Sequence, residues 1–390
     1  MTTYLWLFDA AGPTDQWPAY TPTDVRLVTA TRTLLDYSGT ISDGVFAGDS
    51  LRETYHGRFN LSGSAPAGRI GSVDVAFDDT PVFGARFDDP VRVRAYPADF
   101  TERMTGDVSF RGNASANAME TGAGNDSLTG GAGNDTLSSG AGHDRLFGGA
   151  GQDVLVGGAG RDTMVGGDGN DVYVVFGPDR LVEAADGGRD SIGAVVDYRL
   201  PLNFEALVLY GSAVSGWGNG TRNWLAGNEQ ANVLDGLAGG DVLAGFAGAD
   251  TLVGGFGDNS LLGGFGRDRL IGGAGDDNLL GGAHGDWLTG GAGDDVFGFV
   301  KASDSAPSLR DVISDFGTGD TIDLSEIDAR SDHAGEDAFR YIGARTFDGT
   351  SGEVRYAHGL LSGDVDGDGA ADFVIRVLGA PALHADDLVL

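Results

Sequence analysis

From Thr121 the chain repeats every nine residues. The unit Gly130-Gly131-Ala132-Gly133-Asn134-Asp135-Thr136-Leu137-Ser138 sets the pattern. Aspartate recurs in phase at Asp126, Asp135, Asp144, Asp153, Asp162 and Asp171, and two positions later a large apolar residue recurs at Leu128, Leu137, Leu146, Leu155, Met164 and Tyr173. A second block over residues 227–298 puts Asp241, Asp250, Asp268, Asp277, Asp286 and Asp295 in the acidic slot. Its apolar slot holds Leu234, Leu243, Leu252, Leu261, Leu270, Leu279, Leu288 and Phe297. Asn232 and Asn259 stand in place of aspartate, and the loop at 227–231 lacks most of the glycines. A unit with one apolar side chain is too short for a helical hairpin, but it suits a brief strand followed by a tight turn. Two units then close one coil, and the inward leucines stack from coil to coil about 4.8 Å apart. Glycine is required where the turn takes positive φ or packs backbone on backbone.

Because successive units face opposite sides, Asp126, Asp144 and Asp162 form one column and Asp135, Asp153 and Asp171 the other. Stacked carboxylates repel. Residues 121–174 carry 7 acidic and 2 basic side chains, and 227–298 carry 11 and 2, so the rolled form needs a counter-ion. Calcium fits best, being a hard cation that takes six to eight oxygens from carboxylates and backbone carbonyls. Zinc would want nitrogen or sulfur ligands, and the chain has no cysteine. A pressure for solubility alone would not phase the aspartates at nine.

The pattern is the G-G-x-G-x-D-x-U-x nonapeptide, so residues 113–300 resemble the calcium-binding repeats of RTX proteins. In that family each ion lies between two same-side loops, held by an aspartate and loop carbonyls from each. Carried over, the carbonyl positions are Gly131, Gly133, Gly140, Gly142, Gly149, Gly151, Gly158, Gly160, Gly167 and Gly169 in the first block. In the second they are Gly264, Gly266, Gly273, Gly275, Gly291 and Gly293. The complete slots pair Asp126 with Asp144, Asp144 with Asp162, Asp135 with Asp153, Asp153 with Asp171, Asp250 with Asp268, Asp268 with Asp286, and Asp277 with Asp295, which implies roughly seven or more ions. Slots that include Asn232 or Asn259 are expected to be weak or empty, and His284 replaces a customary glycine in the Asp286 loop.

The C-terminal third resembles the serralysin-type C-terminal domain. The residues that carry this are Gly293-Asp294-Asp295-Val296-Phe297-Gly298-Phe299, Ala302-Ser303-Asp304-Ser305, Arg310-Asp311-Val312-Ile313-Ser314-Asp315-Phe316 and Thr321-Ile322-Asp323-Leu324-Ser325. Gly363-Asp364-Val365-Asp366-Gly367-Asp368-Gly369-Ala370-Ala371-Asp372-Phe373 adds to it. The resemblance implies a cap on the roll and an uncleaved export signal, read by a type I secretion apparatus and ending Asp386-Asp387-Leu388-Val389-Leu390. Asp364, Asp366, Asp368 and Asp372 also occupy positions 1, 3, 5 and 9 of an EF-hand-like loop, with Ile375 where the bidentate glutamate would stand. They read either as a further calcium site or as a tight Asp-Gly hairpin between two strands.

Glycine falls from 16 in residues 121–174 to 11 in residues 1–112, which places a boundary near Gly112. Before it, Val25-Arg26-Leu27-Val28, Val73-Asp74-Val75-Ala76-Phe77 and Val91-Arg92-Val93-Arg94-Ala95-Tyr96 alternate apolar and polar residues, which predicts antiparallel strands. The expected fold is all-β: an N-terminal antiparallel β-domain (1–112), a parallel β-roll (113–300) and a C-terminal β cap (301–390). Between the two repeat blocks, apolar runs at wider spacing predict solenoid coils with longer loops.

The net charge of −33 argues against nucleic-acid and anionic-membrane partners, because phosphate would be repelled. No run reaches the roughly 18 apolar residues of a spanning helix. The start, Met1-Thr2-Thr3-Tyr4-Leu5-Trp6-Leu7-Phe8-Asp9, lacks the basic segment of a cleaved signal, so the expected location is extracellular by C-terminal export. None of the six histidines begins H-E-x-x-H, there is no G-x-S-x-G, and the single lysine, Lys301, excludes a P-loop. The expectation is therefore a non-catalytic calcium-binding exported protein. Residues 1–112 would serve attachment to a cell surface or polysaccharide, or self-association. The rival is a small secreted hydrolytic or polysaccharide-acting enzyme with its site in the same residues. Asp78-Asp79 and Asp88-Asp89 with Glu53, Arg92 and Arg94 would supply carboxylates for it or simply solvated turns. Trp6, Trp17, Tyr20 and Tyr37 admit a sugar-binding face or a core.

Overall fold

The computed structural model describes residues 107–330, 337–380 and 382–390, together with the backbone of two strands, Arg58–Leu61 and Val73–Ala76. The candidate residues Trp6, Trp17, Tyr20, Tyr37, Glu53, Asp78, Asp79, Asp88, Asp89, Arg92 and Arg94 lie outside the described residues. Among those described, every element is a strand except one 3-10 turn, Ala385–Asp387. The chain divides into two compact units, one comprising residues 1–172, 177–182 and 186–188, the other 173–176, 183–185 and 189–390.

In the first unit, one wall runs Arg58–Leu61, Val73–Ala76, Val108–Arg111, Ser127–Ala132, Arg145–Ala150, Thr163–Asp168 and Arg180–Val182. Its first pair is antiparallel and the rest are parallel. The facing wall stacks Ala118–Glu120, Thr136–Ser138 and Val154–Val156, also in parallel. The register is eighteen residues: Leu128 lies beside Leu146, Leu146 beside Met164, and Leu137 beside Leu155. Two nine-residue units do therefore close one coil.

The second unit follows the same rule. One wall stacks Ser191–Ala194, Ala206–Leu209, Trp224–Ala226, Val242–Ala247, Ser260–Phe265, Asn278–Ala283, Val296–Gly298, Thr321–Asp323 and Leu388–Val389 in parallel. The other stacks Tyr198–Arg199, Ser215–Trp217, Val233–Asp235, Thr251–Phe256, Arg269–Ala274, Trp287–Ala292 and Val312–Ile313. It then passes to Phe373–Val377, which forms an antiparallel sheet with Leu360–Asp364 and Glu353–Ala357. The segment between the repeat blocks thus forms coils, with loops longer than those of the repeats, and the C-terminal segment extends both walls.

Each unit has a file of inward side chains as its core. Most repeat strands bury the apolar residue of the slot between more exposed neighbours, so Leu128, Leu137, Leu146, Leu155, Met164, Leu243, Leu252, Leu270, Leu279, Leu288 and Phe297 are wholly buried. Tyr173 and Phe204 widen the file of the second unit with an edge-on ring contact at 5.1 Å, and Phe339 meets Phe373 likewise at 5.6 Å. The turns explain the glycines. Gly149 has φ +121°, and a Cβ there would stand 2.0 Å from the Gly131 carbonyl oxygen one coil earlier. No side chain fits between stacked turns at that spacing.

Candidate metal centre

Each repeat aspartate immediately precedes a strand, and its side chain folds back over the turn before it. Its Oδ1 accepts the backbone N–H of the residue one coil earlier. Asp126 donates to Asp144 (2.7 Å), Asp144 to Asp162 (2.9 Å), Asp135 to Asp153 (2.7 Å) and Asp153 to Asp171 (2.8 Å). In the second unit, Asp250 donates to Asp268 (2.8 Å), Asp268 to Asp286 (2.8 Å) and Asp277 to Asp295 (2.9 Å). The seven aspartate pairs expected from the repeat are brought together one by one.

The second oxygen carries the chemistry. Oδ2 of Asp126, Asp135, Asp144, Asp153 and Asp162, and of Asp241, Asp250, Asp268, Asp277, Asp286 and Asp295, is buried and accepts no hydrogen bond. Burial pushes all of these carboxyls above their ordinary range, Asp135 and Asp286 to about 7 and Asp162, Asp241, Asp250 and Asp295 to about 6. Stacked like charges, such as Asp153 beside Asp135, add to the effect.

Around each such oxygen the backbone leaves a cradle. A Cβ built on Gly130 would meet Asp135 Oδ2 at 2.1 Å and the Gly148 carbonyl oxygen at 2.7 Å; one on Gly148 would meet Asp153 Oδ2 at 2.3 Å and the Gly166 oxygen at 2.7 Å. Gly245 repeats this with Asp250 Oδ2 and the Gly263 oxygen at 2.4 and 2.7 Å. A carboxylate oxygen and a carbonyl oxygen that converge with no donor between them form a hard-cation donor set, and calcium suits it. These first-position carbonyls were not singled out from the sequence, which pointed to the second and fourth glycines. Those two positions take positive φ, as at Gly131 (+119°), Gly133 (+92°), Gly273 (+124°) and Gly275 (+126°).

Where asparagine fills the slot, the geometry closes itself. Asn232 accepts the Asn228 N–H at 2.7 Å and donates to Asn228 Oδ1 at 3.3 Å. Asn259 donates to the Gly257 carbonyl (2.7 Å) and to Asp277 Oδ1 (2.9 Å). An amide supplies both donor and acceptor, so no oxygen is stranded. His284 adopts the left-handed backbone of the glycine it replaces, with φ +90°.

Beyond the blocks, the ladder continues on residues that nine-residue counting misses. Asp162 donates to Asp179 Oδ1 (2.9 Å), Asp286 to Asp311 Oδ1 (2.7 Å) and Asp295 to Asp320 Oδ1 (3.1 Å). Burial pushes Asp311 to about 8, helped by the neighbouring charges of Asp286 and Asp304. The available signal was the aspartate with an apolar residue two positions on, as in Asp179-Arg180-Leu181, Asp311-Val312-Ile313 and Asp320-Thr321-Ile322. A second, exposed ladder occupies the residue before each aspartate: Asn125 accepts from His143 (2.9 Å), Asn134 from Gln152 (2.9 Å) and Asp276 from Asp294 (2.9 Å).

Asp364, Asp366 and Asp372 lie close together in the loop of an antiparallel hairpin. Their oxygens are engaged by that loop. Asp364 accepts from Gly367 (2.7 Å) and Gly369 (3.0 Å), Asp372 from Val365 (2.6 Å), Asp366 from Asp368 (3.1 Å), and Asp368 from Ala370 (2.7 Å). At the chain end, Leu388–Val389 pairs with Thr321–Asp323.

A family model described as RTX calcium-binding nonapeptide repeat (4 copies) matches residues 111–146, 138–173 and 217–252, and one described as Peptidase M10 serralysin C terminal matches 236–390. Neither match is to a catalytic domain. Comparison with curated proteins gives no match. Among solved structures, the crystal structure of extracellular lipase LipA from Serratia marcescens is similar at 15% identity and a TM-score of 0.20, over 78% of this chain and 43% of that one. So distant a likeness supports no functional argument. No helix among the described residues is long and apolar enough to cross a membrane. The RTX and serralysin-type regions imply a secreted, extracellular protein. Repeat, register and family matches agree that this chain is an RTX calcium-binding β-roll protein with a serralysin-type C-terminal domain.

Proposed function

We propose that the protein is exported unfolded and folds outside the cell as calcium fills its aspartate columns. Ions are held between Asp126 and Asp144, Asp144 and Asp162, Asp135 and Asp153, Asp153 and Asp171, Asp250 and Asp268, Asp268 and Asp286, and Asp277 and Asp295, with glycine carbonyls of the same turns. Asp364, Asp366, Asp368 and Asp372 shape a hairpin. The roll is non-catalytic, and residues 1–112 carry the adhesion, surface-layer or matrix role; export proceeds through the C-terminal segment and a type I apparatus.

One observation carries this reading: the row of buried Oδ2 atoms that accept no hydrogen bond. Each unsatisfied buried polar group costs about 1–3 kcal/mol, more if charged. A handful cancels the roughly 5–15 kcal/mol that holds a domain folded. Calcium binds only the rolled form, so its binding free energy becomes folding free energy. Extracellular calcium modules work at about 10⁻⁴ to 10⁻³ M, far above cytosolic free calcium, so the chain stays unrolled until it leaves. Circular dichroism of the whole chain across a calcium titration tests the proposal: β-signal should rise cooperatively in that range. A spectrum unchanged between excess chelator and saturating calcium would overturn it.

A further inference from the structure

The stranded oxygens are not spread evenly along the roll. Among the described residues, none lies between 191 and 240, although this stretch makes three coils of the same solenoid. We propose that residues 191–240 are a calcium-independent folding nucleus, which stays rolled when the flanking repeats are stripped of their ions. The inference rests on reading the aspartate columns as calcium sites, and it narrows the proposal above: at low calcium the flanking repeats, but not 191–240, stay unrolled.

Hydrogen bonds in this stretch close without an ion. Asn223, wholly buried in the acidic slot, accepts the Asn219 N–H at 2.7 Å and donates to the Phe204 carbonyl at 3.1 Å. Asn219 in turn donates to the carbonyls of Pro201 (2.8 Å) and Phe204 (2.9 Å) and accepts from the Thr221 N–H (2.9 Å) and hydroxyl (2.8 Å). On the other edge, the Asn232–Asn228 pair is anchored by Asn228 donating to the Ala213 carbonyl at 2.7 Å. Turn is latched to turn by neutral amides, which satisfy one another without an ion. The acidic residues of this stretch, Asp197, Glu205, Glu229 and Asp235, all reach solvent at least in part.

The apolar core is also denser here than in the repeats that follow. Residues 191–240 bury eleven apolar side chains (Ile192, Ala194, Leu200, Phe204, Leu207, Val208, Leu209, Ala213, Leu225, Ala226 and Leu234), whereas 241–290 bury seven (Leu243, Ala244, Leu252, Leu261, Leu270, Leu279 and Leu288). At about 25 cal/mol per Å² of buried apolar surface, the denser core supplies from water exclusion what the repeats take from cation binding. Stability in a solenoid is nearly a sum of local and nearest-neighbour terms, so a self-sufficient stretch persists beside unfolded ones. Three coils are also about the minimum for a stacked repeat to bury its faces.

Hydrogen–deuterium exchange of the full chain, read peptide by peptide by mass spectrometry, tests this. In excess chelator, amides in 191–240 should exchange at least tenfold more slowly than those in 121–171 and 241–298, and calcium should then protect the flanks. The double variant Asn223→Asp, Asn232→Asp should lose that protection in chelator and regain it with calcium. Exchange of 191–240 as fast as its flanks in chelator overturns the nucleus while leaving the calcium reading intact. Flanks that gain no protection from calcium overturn the calcium reading and the nucleus with it. Unchanged protection of 191–240 in the double variant removes the amide latches as its cause.

Discussion

At the scale of single residues, the difference between aspartate and asparagine decides whether a turn requires an ion. Asp144 and Asp153 each stand in two ladder pairs, one above and one below, whereas the Asn259 turn is closed by its own amide. Asp144→Ala or Asp153→Ala should therefore remove about two ions from the calcium stoichiometry, and Asn259→Ala or Asp258→Ala none. Titration calorimetry distinguishes the two sets, and equal losses would dissolve the ladder assignment. Protons compete for the same oxygens. Burial lifts the ion-free carboxyls to about 6 at Asp162, Asp241, Asp250 and Asp295 and about 7 at Asp135 and Asp286, against 3.8 ordinarily. A folded-state pKa above the unfolded one contributes stability that is full below about pH 4 and is lost as pH rises through 6 to 7. In calcium-depleted buffer, the β-signal should thus be greater at pH 5 than at pH 8, while calcium affinity runs the other way. An ion-free signal that grows with pH would contradict this assignment.

At the scale of elements, the turn is as constrained as the strand. Gly149→Ala puts a Cβ against the Gly131 carbonyl at a backbone angle that L-residues avoid, and strain of this kind costs about 1–3 kcal/mol. Gly220→Ala meets nothing within 4 Å. Thermal melts in saturating calcium should show a clear drop for the first and almost none for the second; equal melting temperatures would show that the stacked turns give way. Strand, turn and aspartate pairing were legible in the sequence because one short rule, aspartate then an apolar residue two positions on, is repeated at a fixed period. The Asp179, Asp311 and Asp320 rungs were not, because their coils take 17 or 25 residues while the chain wanders through a longer loop. Spacing failed there although the local rule still held. The first-position carbonyls were hidden for another reason: a glycine's role as donor of oxygen is visible only once the next coil lies above it.

At the scale of the molecule, the C-terminal segment is built into the walls. Leu388–Val389 closes one of them against Thr321–Asp323. Deleting residues 386–390 should block export from cells that carry a type I system, with the truncated chain recovered inside. Wild-type levels of truncated protein in the medium would place the export signal elsewhere. The same segment shows how the length of such a molecule is free to change. Val312–Ile313 continues the wall that contains Trp287–Ala292, and Thr321–Asp323 the wall that contains Val296–Gly298, so the terminal piece fits the roll in one orientation. Adding or losing a single nine-residue unit would hand each terminal strand to the opposite wall. The seat of the terminal piece, formed by the last repeats Trp287–Ala292 and Val296–Gly298, moves with it, so units can be gained or lost upstream without disturbing the contacts that fix the terminal piece.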